Sequence, residues 1–463
     1  MQASNDTIAA ICTACGGGVA AIRVSGSQAL QVCSRFCFPK NSRSLSEVPP
    51  RRMEFCNFVY ENRVLDEVLA CFFNAPASFT GEDVVEIYCH GGELMPRFLL
   101  EKLCFGGARL AYAGEFTRRA FVNGKLDLTQ AEAIGDIVSA KTDKALLAAS
   151  SQLEGGLGRE VRVIREKIID ISSHILAVID FPDEGVEECS PQSVLSQLAE
   201  PRSKIAKLCE SFKAGRIISK GINVVICGAP NVGKSSVFNA LLGFSRAIVT
   251  GSEGTTRDLI TESLSMDGHL VNFTDTAGIR LAQDEAEKIG VGLSYSSIDR
   301  ADLLVIVLDV SRLLNDYESK LLESTLDANR IIVANKIDKE DVFSDFLKTD
   351  KVFADRHGFS EAVYLSATES DNIEALKDRI VSICDNGNLP ESGNIVTNER
   401  QSMLLVRALG LIDRLAGELE GGLPLDLALD NLTEVSSLLG GVTGDEASSE
   451  VIDRIFSKFC VGK

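Results

Sequence analysis

A glycine-rich stretch that ends in a lysine and a serine is the first part of this sequence that predicts chemistry. Residues 228–235 read Gly-Ala-Pro-Asn-Val-Gly-Lys-Ser, after the apolar run VVIC and before the helical stretch SVFNALLG. A loop of this kind turns backbone N–H groups toward phosphate oxygens. Lys234 then neutralises β- and γ-phosphate charge, and the Ser235 hydroxyl can ligate Mg²⁺. The flanking strand and helix disfavour the alternative, a chance glycine loop.

Two later motifs, each at the end of a predicted strand, indicate which base this site binds. Residues 335–338 read Asn-Lys-Ile-Asp after RIIVA, and Ser366-Ala367 ends the run AVYLSA. The Asp338 carboxylate can accept hydrogen bonds from N1–H and the 2-amino group of guanine. Adenine lacks both donors, so this residue selects GTP over ATP. A backbone contact to the guanine oxygen fits the Ser366-Ala367 position.

The segments between these motifs predict γ-phosphate sensing. Thr256, within Gly-Thr-Thr-Arg-Asp at 254–258, can complete the Mg²⁺ shell, and Asp275 to Gly278 form a D-x-x-G sensor after a strand. Together the motifs predict a GTP site. The residues predicted to contact GTP are Asn231, Val232, Gly233, Lys234, Ser235, Ser236, Thr250, Gly251, Ser252, Glu253, Gly254, Thr255, Thr256, Asp275, Thr276, Ala277, Gly278, Asn335, Lys336, Ile337, Asp338, Ser366, Ala367 and Thr368.

The residue that would hold the attacking water is missing from its usual place. Many GTPases have a glutamine just after the glycine of D-x-x-G, but here the position is Ile279, which cannot orient water. Glu287, nine residues beyond Gly278, could fold back over the phosphates, although an exposed helix charge explains it equally well. Asn231 could ligate a monovalent cation beside the β/γ bridge, where the cation offsets developing negative charge.

Bulk composition limits the class of protein. The 463 residues suffice for about three domains. The net charge is −19, with acidic and basic residues balanced in 1–120. A chain this acidic binds nucleic acid poorly alone, so we expect a more basic partner to hold much of any such substrate. Without a secretory signal or a membrane-length apolar run, and with 13 cysteines, the sequence indicates a cytoplasmic protein with reduced thiols and no membrane association.

Four cysteines near the start have a spacing close to that of a zinc ribbon. Cys12, Cys15, Cys33 and Cys37 read C-x2-C-x17-C-x3-C. However, Cys12 ends an apolar run, and Cys33 and Cys37 lie four apart in a helical stretch. We therefore predict small buried thiols rather than a zinc site.

Periodicity predicts a multidomain α/β chain. Residues 1–120 mix strand-like runs (IAAIC, VAAIRVSG, VLACFFNAP, DVVEIYCH) with helical ones (SQALQVCSRF, LMPRFLLEKLC), which predicts an N-terminal α+β domain. Helical periodicity fills 121–215 and returns over 384–463. Residues 216–383 alternate strand and helix, as in a doubly wound parallel sheet. We infer a P-loop GTPase domain inserted into an all-helical domain.

Outside the nucleotide motifs, three strings resemble one known family. They are SFTGEDVVEIYCHGG at 78–92, YAGEFTRRAFVNGKLDLTQAEAIGDIVSAKT at 112–142 and FCVGK at 459–463. They are similar to the MnmE (TrmE) family of tRNA modification GTPases, and the resemblance covers almost the whole chain. It implies an N-terminal folate-binding domain that also dimerises, a helical domain, and a GTPase domain inserted into it.

The resemblance also implies an activity. In that family, a homodimer forms a complex with MnmG, which uses FAD and NADH. The complex adds an aminomethyl or carboxymethylaminomethyl group to C5 of the wobble uridine (U34) of certain tRNAs, with a one-carbon unit from a tetrahydrofolate derivative. GTP hydrolysis in the family needs potassium.

Site residues follow from the resemblance position by position. Ser235 and Thr256 match the Mg²⁺ ligands, and Glu287 matches the catalytic glutamate, which orients water through a second water. The potassium site is matched by Asn231, Thr250, Ser252 and Thr255. The folate-contacting positions are matched by Arg23, Glu86, Lys125 and Lys463. Pterin donors suit a glutamate, and the carboxylates of the folate tail suit arginine and lysine.

The sequence departs from the family at one loop. Residues 13–18 read Thr-Ala-Cys-Gly-Gly-Gly, one residue shorter than the family's T-P-P-G-x-G-G and without its prolines. This loop is close in sequence to Arg23, so the departure bears on the geometry of the predicted folate site. Cys460 leaves open a redox or nucleophilic role, since a thiolate near a lysine is activated.

Two other functions are compatible with a GTPase domain. A ribosome-assembly or other regulatory switch GTPase would carry a basic RNA-binding domain, which the neutral N-terminal region and acidic remainder disfavour. A folate one-carbon enzyme regulated by GTP is the other alternative.

Overall fold

The computed structural model describes residues 6–14, 16–41, 44–181, 190–244, 246–247, 261–275, 301–339, 351–369, 371–385 and 394–462. The chain divides into two compact units. The first unit comprises Met1–Gly135, Gln152–Ala206 and Met403–Lys463, and the second comprises Asp136–Ser151 and Lys207–Ser402. Within the described ranges, no helix combines the length and the apolar content needed to cross a membrane.

A mostly antiparallel sheet forms the N-terminal part of the first unit. Its strands are β1 (Ile8–Ile11), β2 (Val19–Ser25), β3 (Cys37–Pro39), β4 (Met53–Tyr60), β5 (Arg63–Phe73), β6 (Val84–His90) and β7 (Arg109–Leu110), in the spatial order β3-β4-β5-β6-β2-β1-β7. The strands and helices predicted from periodicity in this region are confirmed, with helices α1 (Ala29–Ser34) and α2 (Leu94–Phe105) and a 3₁₀ turn at Leu45–Glu47.

Strand alternation separates the apolar and polar faces of this sheet. Ile22 and Val24 of β2, and Val85 and Ile87 of β6, lie in a core with side chains of α1 and α2. Because successive strand residues point to opposite faces, the residues between these pairs point away from that core. Arg23 and Glu86, which pair directly across β2 and β6, are those intervening residues.

Of the three described cysteines near the N-terminus, Cys33 and Cys37 behave as core residues, whereas Cys12 is only half-buried. Cys33 and Cys37 are buried in the sheet core, and burial raises the pKa of both thiols. Cys15 lies outside the described residues. The described residues contain no group of three or more His, Cys, Asp and Glu placed to hold a metal. Cys33 and Cys37 therefore serve as small apolar side chains.

Helices occupy most of the chain between the first sheet and residue 220. They are α3 (Glu115–Val122), α4 (Leu128–Ser139), α5 (Asp143–Leu153), α6 (Gly156–Asp180) and α7 (Pro191–Lys220). The helical periodicity predicted over 121–215 is thus present.

A second sheet lies in the second unit. Its strands are β8 (Ile222–Cys227), β9 (Arg246–Ala247), β10 (Thr261–Met266), β11 (His269–Asp275), β12 (Leu303–Asp309), β13 (Arg330–Asn335) and β14 (Val363–Leu365), in the order β14-β13-β12-β8-β11-β10-β9. Helices α8 (Lys234–Phe244), α9 (Asp316–Ser324), α10 (Lys351–His357) and α11 (Ile373–Asp385) alternate with the strands, beside a 3₁₀ turn at Phe359–Glu361.

Strand direction in this sheet explains why the motifs can converge. Strands β14, β13, β12, β8 and β11 are parallel, and β10 and β9 extend the sheet antiparallel at one edge. Every residue of β12 is buried, as expected for a parallel strand covered on both faces. The carboxyl ends of parallel strands meet at one edge, where ligands bind in this fold. The P-loop GTPase fold predicted for this region is confirmed.

Helices return at the C-terminus as α12 (Glu399–Glu420), α13 (Leu425–Thr443) and α14 (Ser449–Phe456). Within the first unit α13 packs along α6, whose buried Val161, Ile164 and Ile168 follow helical spacing. Arg165 of α6 donates from Nε to the Ser436 carbonyl at 3.1 Å, which fixes the register of the pair. The boundaries 1–120, 121–215 with 384–463, and 216–383 remain a prediction.

One glycine in α7 predicts a large stability effect. A Cβ at Gly215 would lie 2.2 Å from the carbonyl oxygen of Val396, a fully buried residue whose N–H donates to Ser211 Oγ at 3.1 Å. Gly215→Ala should therefore destabilise the protein by about 1–3 kcal/mol, because neither backbone can move without losing contacts. Gly417→Ala, in α12 with no atom beyond its own helix backbone and chain neighbours within 4 Å of the added methyl, should stabilise it by up to about 1 kcal/mol. Urea unfolding measures both, and equal effects would contradict the packing argument.

Candidate functional site

The glycine-rich loop after β8 has the backbone that a phosphate-binding loop needs. Gly228, Asn231 and Gly233 have φ of 148°, 63° and 100°. A Cβ at Gly228 would lie 2.3 Å from the Val307 carbonyl oxygen, so a larger residue is excluded there. Lys234 Nζ donates to the carbonyls of Gly228 and Ala229 at 3.0 and 2.9 Å. These bonds hold the ammonium over the loop. Ser235 and Ser236 follow in the first turn of α8.

Asn335 connects this loop to the two loops predicted to bind the base. Its side chain is almost fully buried, and its Nδ2 donates to the Val232 carbonyl at 2.8 Å. Its Oδ1 accepts from the Ala367 N–H at 3.1 Å. One amide group therefore fixes the spacing of all three loops.

Lys336 makes a second connection, through a residue that the sequence reasoning missed. Its Nζ donates to the Asn231 carbonyl at 2.8 Å and to Asp309 Oδ2 at 2.5 Å. Asp309 ends β12, and its Oδ1 accepts from Ser311 N and Oγ at 3.0 and 2.6 Å. Burial by itself would raise the pKa of Asp309, but the bonds from Lys336 and Ser311 lower it below the ordinary value. An acidic residue at the end of a fully buried strand was the available signal.

Within the part of the chain that the structure describes, Asp338 is held from one side only. Ser366 Oγ donates to its Oδ1 at 2.7 Å, and Ser366 Oγ also lies 3.2 Å from Thr368 Oγ1. The Asp338 residue is otherwise exposed. A carboxylate anchored through one oxygen keeps acceptor capacity on the other. The Ile337 N–H donates to the Leu365 carbonyl at 3.5 Å, which completes the link between the two base-binding loops.

The structure describes only part of the predicted nucleotide site. Asp275 is placed at the end of β11. The predicted residues that lie outside the described ranges are Thr250, Gly251, Ser252, Glu253, Gly254, Thr255, Thr256, Thr276, Ala277, Gly278 and Glu287.

A separate polar cluster forms around two of the predicted folate residues. Arg23 Nε donates to Glu86 Oε1 at 2.9 Å, and Tyr88 Oη donates to Glu86 Oε2 at 2.7 Å. That hydrogen bond, together with burial, raises the pKa of Tyr88 to about 12. The Arg23 guanidinium also lies over the ring of Phe79, 5.0 Å from its centroid. Tyr88 was missed, although its i+2 spacing from Glu86 places both on one strand face.

Residues 76–81, which include Phe79, bring Lys125 near this cluster. Lys125 Nζ donates to the Pro76 carbonyl at 3.1 Å, and its Cγ would lie 3.3 Å from a Cβ built on Gly81. The segment 76–81 thus contacts Lys125 and, through Phe79, Arg23. Lys463 lies outside the described residues, and the residue Cys460 is exposed.

Backbone hydrogen bonds connect the shortened loop at 13–18 to the residues that follow β6. The N–H groups of Gly91 and Gly92 donate to the carbonyls of Gly18 and Gly17 at 3.0 and 3.1 Å. The Ala21 N–H donates to Thr13 Oγ1 at 3.2 Å. The loop therefore lies at the end of the β2–β6 pair that contains Arg23 and Glu86.

Comparisons with known proteins find relatives of both the N-terminal region and the rest of the chain. Residues 7–125 match the family model described as GTP-binding protein TrmE N-terminus, and residues 128–460 match that of the MnmE helical domain. The chain is 40% identical over 461 residues to the tRNA modification GTPase MnmE of Finegoldia magna, covering 99% of this chain and 100% of that protein. It is 38% identical over 466 residues to the tRNA modification GTPase MnmE of Clostridioides difficile, covering 99% of each.

Among solved structures, the G domain of the FeoB iron transporter of T. maritima is 24% identical. That match covers 35% of this chain and 97% of the other, with a TM-score of 0.25. The two family models and the full-length relatives settle the family: this chain belongs to the MnmE family of tRNA modification GTPases and is a GTP-hydrolysing enzyme.

Proposed function

We propose that this chain is the potassium-dependent GTPase subunit of a complex with MnmG that modifies tRNA. The complex adds an aminomethyl or carboxymethylaminomethyl group to C5 of the wobble uridine U34 of certain tRNAs. MnmG supplies FAD and NADH, and a tetrahydrofolate derivative supplies the carbon. The observation that carries this proposal is the Asn335 amide, which joins the phosphate loop to the guanine-binding loops in a chain of this family. The net charge of −19 supports a more basic partner that holds much of the tRNA, and we place the complex in the cytoplasm.

GTP binding follows from the loops at the carboxyl ends of the strands. The backbone N–H groups of 231–236 and the Lys234 ammonium hold the phosphates. Ser235 and Thr256 supply hydroxyl ligands for Mg²⁺, whose chemistry is to neutralise charge on the β- and γ-oxygens. The free oxygen of Asp338 accepts from the guanine edge, and Ser366 keeps the carboxylate in place for it.

Hydrolysis depends on Glu287 and on a potassium site formed by Asn231, Thr250, Ser252 and Thr255. A potassium ion there supplies positive charge where negative charge develops in the transition state. The Asn231 carbonyl accepts from Lys336, and the oxygen of its side-chain amide is a further acceptor that can ligate the ion. Glu287 takes the place of the missing glutamine by orienting the attacking water through a second water.

The folate derivative, 5,10-methylene- or 5-formyl-tetrahydrofolate, binds at the Arg23 cluster. Glu86 accepts one bond from Arg23 and one from Tyr88, so lone pairs remain for pterin donors. Lys125 and Lys463 pair with the carboxylates of the folate tail. The N-terminal domains of two copies form the homodimer.

Substitution of Asp338 should change the base that is recognised. Asp338→Asn should lower GTP affinity by about 100-fold, roughly 3 kcal/mol, because an amide nitrogen faces the guanine donors. The same variant should gain affinity for xanthosine triphosphate, whose 2-oxo group accepts a hydrogen bond. Equilibrium titration with both nucleotides measures this. Glu369→Gln, an exposed acid beside the same loop, is the control. Unchanged GTP affinity in Asp338→Asn would argue against this base contact.

Hydrolysis should fail without the glutamate or without potassium, while nucleotide binding persists. Glu287→Ala should lower kcat by about 100-fold and leave the Kd for GTP within about threefold, because the carboxylate acts on water in the transition state. Replacing potassium with sodium should also reduce kcat in the wild type. Glu285→Ala in the same acidic stretch should keep full activity. If both Glu287→Ala and the sodium exchange leave kcat intact, the proposed mechanism is wrong.

Nucleoside analysis of tRNA tests the proposed function itself. Cells lacking this gene should accumulate unmodified wobble uridine, and the wild-type gene should restore modification. Glu287→Ala should not restore it. Nor should the double variant Arg23→Met, Glu86→Leu, which removes both partners of the pair and so leaves no unpaired buried charge. That double variant should still hydrolyse GTP. Normal wobble uridines in the deletion strain would refute the assignment.

A further inference from the structure

A polar cavity lies in the second unit, away from the nucleotide loops. Its volume is about 240 Å³, and its lining includes Ser139, Lys141, Thr142, Ser219, Lys220 and Asn272. Lys220 ends α7, two residues before β8 begins, and Asn272, at the middle of β11, pairs with Asn223, the second residue of β8. The phosphate loop follows the opposite, carboxyl end of β8. The cavity is therefore distinct from the GTP site.

The cavity walls are fixed by hydrogen bonds that do not involve a ligand. Thr142 Oγ1 accepts from the Ala145 N–H at 3.2 Å at the start of α5. Asn272 Nδ2 donates to the Lys220 carbonyl at 2.9 Å, and Asn272 Oδ1 accepts from Ser263 Oγ at 2.8 Å. These bonds hold the start of α5, the end of α7 and strands β10 and β11 in place. The cavity is therefore preformed without a ligand.

A neighbouring ion cluster strengthens the same wall. Lys144 Nζ lies 2.6 Å from Nε2 of the buried His269 and 3.1 Å from Asp385 Oδ1. His269 Nε2 also lies 2.8 Å from Asp385 Oδ1. Lys144 is thus neutralised by a carboxylate, and it is not the group that a ligand would meet.

Two other lysines leave positive charge at the cavity. Lys141 and Lys220 form no ion pair with any residue in the described ranges. The chain has 66 acidic against 47 basic residues, so two unpaired lysines at one cavity run against its average charge. Both lysines are exposed residues that line the cavity, so a bound anion can pair with them without displacing a partner in the described ranges. The Ser219 hydroxyl lines the same space and can donate a hydrogen bond.

We infer that this cavity binds a backbone phosphate of RNA. Lysine ammonium groups bind phosphate as point charges, and a hydroxyl completes the donor set. The volume accommodates a phosphate group with its ester substituents. RNA is the source chosen because the chain belongs to a tRNA modification family, so the inference rests on the proposed function. The cavity gives this acidic chain its own contact with tRNA beside those of the partner.

The salt dependence of tRNA binding tests this inference. The full-length wild type and the double variant Lys141→Gln, Lys220→Gln are titrated with labelled tRNA at several potassium chloride concentrations. The variant should bind about tenfold more weakly near 0.1 M salt, and its slope of log Kd against log salt should fall by roughly 1 to 2. Each single substitution should give about half of that change. Lys320→Gln, Lys351→Gln removes the same charge from exposed positions elsewhere in the unit and should change the slope by less than about 0.5.

Additional measurements separate the possible outcomes. GTP affinity and potassium-dependent hydrolysis should be unchanged in the double variant, which shows that it is folded. Equal slopes for the wild type and the double variant overturn the inference, as does a wild type that binds no tRNA. If inorganic phosphate raises the Tm of the wild type alone while tRNA slopes stay equal, the cavity binds free phosphate and the RNA assignment is wrong. Loss of wobble modification in the deletion strain together with equal slopes would refute the cavity and leave the proposed function standing.

Discussion

The side-chain amide of Asn335 holds together the part of the molecule that binds nucleotide. It donates to the Val232 carbonyl and accepts from the Ala367 N–H while almost fully removed from water. Losing either bond would leave a buried backbone group unsatisfied, at a cost of about 1–3 kcal/mol. Aspartate has no donor and leucine has neither group, so only an amide satisfies both loops. The geometry of the phosphate loop is thus set by a residue about 100 positions away in the chain.

The same parallel sheet explains how much could be predicted from the sequence. Short buried runs such as LLVIVLD are bounded by turns, and parallel order then brings every strand end to one edge. The positions of the motif residues 228–235, 335–338 and 366–367 followed from that rule. The contact between Lys336 and Asp309 did not, because it depends on which strands are neighbours. Periodicity shows that strands exist but does not give their spatial order.

The second polar cluster could not be predicted from the sequence either, because it depends on the register between two strands. Arg23 and Glu86 are 63 residues apart and meet only because β2 pairs with β6 in a register that opposes them. In the sequence each could be a structural charge near a strand end, whereas in the fold both lie inside their strands. Their side chains are 21% and 17% exposed, so each reduces the desolvation cost of the other. A structural role and ligand binding are compatible here, because two bonds do not exhaust the acceptor capacity of a carboxylate.

Among the described residues of the nucleotide site, the two non-glycine residues with a strained backbone are tied together. Asn231 and Lys336 are not glycines, yet their φ values are 63° and 70°. Such conformations cost of order 1 kcal/mol each and persist only where surrounding bonds determine them. Here Lys336 Nζ donates to the Asn231 carbonyl, so one charge-assisted hydrogen bond stabilises both strained residues at once. Asparagine tolerates the left-handed region better than most residues, and unlike glycine it keeps an amide at the edge of the phosphate loop. The residue type at 231 therefore satisfies the backbone and keeps a side-chain amide at the phosphate loop, which glycine could not do.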